Sequence, residues 1–98
     1  MNTRKMLEEK ERTHGDFAQN SYVTMGILNI CQDQPNWEKL SEPSQLAIHM
    51  ICLKLSRVLS GDATQKDHFK DISGYATLAL DALDVPESSN LGTRKKGE

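Results

Sequence analysis

The run from Leu46 to Leu55 is apolar at every position except His49 and Lys54. Ser41-Glu42-Pro43 precedes it, and proline is tolerated in the first turn of a helix. Gly61 follows, where a helix often ends on a residue in the left-handed conformation. A helix that is apolar almost all round needs neighbours on most of its sides. The rest of the chain must therefore be arranged about this segment. Three main helices of this size cannot cover it alone, and a second copy supplying helices would build a bundle of the usual kind. The expected fold class is all-α, a bundle of three to four helices completed by oligomerisation.

The other helices follow from local signals. Thr3 to Arg12 is rich in Lys, Arg and Glu and reads as a helical arm that Gly15 interrupts. Asp16 with Gln19 forms a capping-box variant, and Phe17, Tyr22, Val23, Ile27, Leu28, Ile30 and Cys31 fit a helical stripe. Pro35, Asn36 and Trp37 mark a connection, with Trp37 expected to pin it to the core. Thr64 to Asp67 resembles another cap. Ile72, Tyr75, Ala76, Ala79 and Leu83 then recur at heptad-like spacing, with Gly74 read as a site of close helix approach. The helices are expected near residues 3–13, 16–31, 42–60 and 65–84. Residues 1–85 form the helical domain, and 86–98, polar with a single leucine, form a disordered tail.

Composition narrows the class of function. A chain of 98 residues is one domain, and 37% hydrophobic with 27% charged residues is globular composition. A net charge of -2 argues against generic nucleic-acid binding. Cys31 and Cys52 are too few for a structural zinc or a disulfide framework. They are expected as core or interface residues in a reducing compartment. The charged opening segment is unlike a secretory leader, no apolar run has the length of a membrane span, and a cytoplasmic location is expected.

Three polar clusters interrupt the regular pattern. The first is Arg12-Thr13-His14-Gly15-Asp16, the second Lys54 with Arg57, and the third Asp67-His68-Phe69-Lys70-Asp71, leading to Tyr75. Lys54 and Arg57 share a helix face, as do Asp67 and Asp71. A short connection makes their helices antiparallel neighbours, so the basic and acidic pairs should meet. One reading is an ion-pair cluster that fixes register, with Asp71 as the best partner of Lys54. The other is a pocket for a phosphorylated ligand. There, paired carboxylates could hold a divalent cation such as magnesium. His14 and His68 could add ligands or a general base, and Glu8 and Glu11 could complete an acidic set. The candidate ligand-binding residues are Arg12, His14, Asp16, Lys54, Arg57, Asp67, His68, Asp71 and Tyr75. No catalytic residue and no metal ligand set is assigned. His49 is read as a hydrogen-bonded core or interface residue.

Arg12-Thr13-His14-Gly15-Asp16-Phe17, Leu53-Lys54-Leu55-Ser56-Arg57 and the segment Asp67 to Ala76 together resemble short bacteriophage and prophage proteins of unknown function. The resemblance runs from about Arg12 to Leu80, with Phe69 where relatives often have tryptophan. The same order of motifs resembles nucleotide-modification-associated phage domains. More distantly, it is similar to all-α nucleotide pyrophosphohydrolases of the MazG type, whose acidic pairs on adjacent helices bind magnesium. Here Glu8, Glu11, Asp67 and Asp71 are the available acids, without an E-E-x-x-E helix. The resemblance implies a phage origin, a location in the host cytoplasm, and a small accessory protein acting by binding. Its partner would be a nucleotide-related ligand or a host protein, for example in inhibiting a host defence system. The alternative it implies is a metal-dependent nucleoside triphosphate pyrophosphohydrolase.

Overall fold

The computed structural model describes residues 2–84. The expected tail at 86–98 lies outside the described residues. Among them the chain is all-α, with no strand. The helices are α1 (Thr3–His14), α2 (Phe17–Gln32), α3 (Glu42–Ser60) and α4 (Lys66–Asp84). All four fall within a residue or so of the expected bounds. The connection after α2 also contains a single 3-10 turn, Trp37–Lys39, which the proline and asparagine signals did not indicate. Trp37 is half-buried, and its carbonyl accepts a hydrogen bond from Gln45 Nε2 at 2.9 Å. Among the described residues, no helix is long and apolar enough to cross a membrane.

Helices α1, α2 and α3 each start where a short polar side chain takes an orphan amide. Asn2 Oδ1 accepts from the Lys5 amide at 2.8 Å, Asp16 Oδ2 from Gln19 at 3.0 Å, and Ser41 Oγ from Ser44 at 3.3 Å. Before α4, Asp62 Oδ1 accepts from both the amide and the hydroxyl of Thr64, at 2.9 and 2.6 Å. These two bonds, the hydroxyl's foremost, hold the Asp62 carboxyl below its usual range.

The apolar helix α3 is the hub. It packs most extensively on α4, then on α2, and also touches α1. Its inner positions are small: Ser44, Ala47, Cys52 and Ser56 are buried, whereas Leu46 and Leu59 are exposed and His49 lies on the surface of the chain rather than in its core. Burial, and next the neighbouring Cys31 thiol, push the Cys52 thiol up to about 11. Across the described residues, Leu28, Ala47 and Cys52 are the buried apolar side chains, beside the polar Asn20, Thr24, Ser44, Ser56 and His68. Phe17, Tyr22, Leu59 and Leu83 are each more than two-thirds exposed. The heptad-like set read in α4 also divides: Ile72, Tyr75 and Ala79 are half-buried, but Ala76 and Leu83 face outward.

Two glycine assignments are corrected. Gly61 has φ -104°, so it is not left-handed; glycine is needed there because a Cβ would lie 2.7 Å from the backbone carbon of His14. The left-handed position is Gly15, at φ 86°, where a Cβ would also come within 2.8 Å of the Ser60 backbone. At Gly74 a Cβ would meet nothing within 4 Å, so no close helix approach explains it. Gly15→Ala and Gly61→Ala should each destabilise the domain by about 2 kcal/mol or more. Gly74→Ala should stabilise by up to about 1 kcal/mol through helix propensity. Urea unfolding of the three variants checks the contrast.

Candidate functional site

The end of α1 is anchored through its terminal carbonyls. The Thr13 carbonyl accepts from the Asp62 amide at 3.1 Å and from His68 Nε2 at 2.9 Å. Because that acceptor is a carbonyl, His68 must carry its proton on Nε2. The next carbonyl, of His14, accepts from Asn20 Nδ2 at 2.6 Å. Asn20 Oδ1 in turn accepts from Ser56 Oγ at 3.2 Å, and the same hydroxyl proton is shared with the Leu53 carbonyl at 2.7 Å. Carbonyls left open by the last turn of a helix thus find donors on three other segments.

This network closes one end of a groove of about 760 Å³ between α1, α2 and α3. Leu7, Phe17, Met25 and Leu53 give it apolar walls, while Arg4, Lys10, Glu8 and Glu11 line the α1 side. Arg57 from α3 and Thr24 from α2 also face it. Arg57 Nε and Thr24 Oγ1 are both buried without a hydrogen-bond partner. His14 lies at the same end, its ring centroid 5.5 Å from that of His68. Burial lowers the His14 pKa below the ordinary 6.5, assisted by the positive charges of Arg57, Lys10 and Lys54.

The structure divides the residues singled out by sequence. His14, Asp16 and Arg57 line the groove. On the α3–α4 side, Lys54 Nζ lies 3.1 Å from Asp71 Oδ2 in the ion pair expected of it. His68 is buried there and Tyr75 is half-buried. Arg12 and Asp67 are exposed and lie outside the groove. Arg57, expected to share in the ion-pair cluster, makes no ion pair among the described residues. Asn20 and Thr24 were missed, although the spacing Asn20, Thr24, Leu28 puts polar residues on the buried stripe of α2. No group of three or more His, Cys, Asp or Glu among the described residues could hold a metal ion.

The profile of a domain family of unknown function, DUF6378, matches residues 2–82, which take in α1 to α3 and nearly all of α4. The chain belongs to that family. No curated protein and no solved structure matches it. In this DUF6378 domain the polar motifs therefore serve two different places, one an ion pair between α3 and α4, the other a groove under α1.

The ion pair is a stability element. The Lys54 side chain is 12% exposed, so removing its partner leaves a charge mostly out of water. Asp71→Asn should destabilise the domain by about 1–3 kcal/mol in chemical unfolding. His14 gives a pH dependence. Its folded pKa is lower than its unfolded value near 6.5, so the unfolded chain binds more protons between the two. This contribution is lost as pH falls through 6.5 and levels off below the folded value. His14→Asn should flatten that part of the stability profile, as read by unfolding between neutral and mildly acidic pH.

Proposed function

We propose that the groove binds a phosphorylated, nucleotide-related small molecule, and that this DUF6378 domain acts by binding rather than by turnover. The observation that carries this reading is the buried, unpaired Nε of Arg57 on the groove wall. A guanidinium nitrogen held away from water without an acceptor is costly. Phosphate oxygens match its fork of donors in a bidentate way. Thr24 Oγ1, also buried and unpartnered, offers a second donor. Arg4 and Lys10 extend the positive charge along α1, and Phe17, Met25 and Leu53 provide apolar surface against which a base can lie. α1 buries no residue of its own, so its N-terminal turns, away from the anchored Thr13 and His14 carbonyls, can adjust over a ligand at small cost.

A second reading has one observation in its favour: Glu8 and Glu11 line the same groove. With magnesium they would give the metal-dependent pyrophosphohydrolase that the MazG-type resemblance suggests. Two carboxylates from one helix form a thin metal site, so binding stands first. The resemblance to short bacteriophage proteins supports an accessory role in a host cell. There the domain would sequester a signal nucleotide of a defence system, or act on a host protein by contact.

The test is thermal shift and calorimetry against a panel of nucleoside mono-, di- and triphosphates, with and without magnesium. A true ligand at one hundred times its dissociation constant should stabilise by about 2.7 kcal/mol. Arg57→Met should weaken that ligand by about ten-fold or more while leaving the melting temperature equal or higher, because methionine removes a buried donor that has no partner in the fold. Silence across the panel overturns the ligand reading in favour of contact with a protein. Release of pyrophosphate in the presence of magnesium selects the enzyme.

A further inference from the structure

α4 carries the same spacing twice, one residue apart. His68, Ile72, Tyr75, Ala79 and Ala82 follow a four-three-four-three pattern, are buried or half-buried, and form the side on which α4 packs against α3. Phe69, Ser73, Ala76, Leu80 and Leu83 repeat that pattern and are all exposed. A shift of one residue turns a helix by about 100°, so the second stripe lies beside the first and carries the signature of a helix–helix seam. Phe69, Leu80 and Leu83 are 54%, 59% and 68% exposed. The exposed apolar residues of α2, by contrast, are spread around that helix: Phe17 and Met25 line the groove, while Tyr22 and Ile30 point elsewhere.

The charges beside the stripe identify what fits it. Lys66 and Lys70 flank its N-terminal end, and Asp81 and Asp84 flank its C-terminal end on the same side. All four are exposed. An antiparallel helix carrying the same sequence would meet each lysine pair with an aspartate pair. That arrangement is self-complementary about a two-fold axis. The small residues Ser73 and Ala76 lie at its centre, where the two helices would approach most closely. A shallow hollow of about 520 Å³ bounded by Lys66, Phe69, Lys70 and Ser73 lies where leucines of the opposite end would arrive.

We propose that the exposed stripe of α4 is a homodimer interface in which α4 pairs antiparallel with α4 of a second copy. The dimer places Phe69 opposite the partner's Leu80 and sets the Lys66/Lys70 end against the partner's Asp81/Asp84 end. This surface is separate from the groove under α1 and does not depend on what the groove binds.

The experiment is sedimentation equilibrium of the full chain at about 50 micromolar, with circular dichroism to check helix content. The wild-type chain should be a dimer. The double reversals Lys66→Glu with Lys70→Glu, and Asp81→Lys with Asp84→Lys, place like charges at both ends and should each weaken dimerisation by about ten-fold or more. An equimolar mixture of the two variants restores opposite charges at both ends and should dimerise about as well as wild type. A monomeric wild-type chain overturns the proposal. So does a dimer indifferent to both reversals, or a mixture that stays monomeric. Should a double reversal lower helix content, Ala76→Lys at the centre of the stripe replaces it; a monomer is then expected, and an intact dimer overturns the proposal.

Discussion

The hydrogen bonds to the Thr13 and His14 carbonyls hold this small domain in register. Two backbone acceptors at the end of α1 draw in the Asp62 amide, the His68 ring and the Asn20 side chain. These donors come from the loop before α4, from α4 itself and from α2. The arrangement requires the two turns to touch, and Gly15 and Gly61 allow it by leaving no Cβ between them. Buried polar groups must be paired, so this junction specifies one relative placement of the helices where a purely apolar contact would tolerate several.

The rest of the interior is consistent with that role. Among the described residues the buried apolar side chains are few and mostly small, and polar ones account for more of the buried positions. The Asn20–Ser56 bond continues the network from the turn into the α2–α3 interface. Lys54 and Arg57, one turn apart on α3, then have opposite fates. Lys54 faces α4 and is neutralised by Asp71, while Arg57 faces the space under α1 and keeps an unpaired nitrogen there. Among the described residues, Arg57 Nε and Thr24 Oγ1 are the two buried side-chain atoms left without a partner, and both residues line the groove under α1.

Much of the fold was legible in the residues. Asp16 caps α2, Ser41-Glu42-Pro43 opens α3, and the run Leu46 to Leu55 marks the helix that the others surround. The Lys54–Asp71 pair was also legible, because a charge within an apolar helix needs a partner nearby. The roles of the glycines were not. Gly61 and Gly74 look alike as letters, yet one is fixed by backbone from a distant turn and the other by nothing in contact. Nor did the sequence separate Arg57 from Lys54, or show that Thr13 would contribute through its carbonyl rather than its side chain.

The sequence by itself determined where each helix begins and ends and which one is central. Those properties depend on caps, proline, glycine and hydrophobic spacing within a few residues. The tertiary structure decided which side of each helix meets which neighbour. That depends on rotation about the helix axis, where one residue is about 100°. On α3 it separates an ion pair from an open cation, and on α4 it separates the packed stripe from the exposed one. Such rotations are fixed by contacts far apart in the chain, above all those of the Thr13 carbonyl, and no local pattern of residues encodes them.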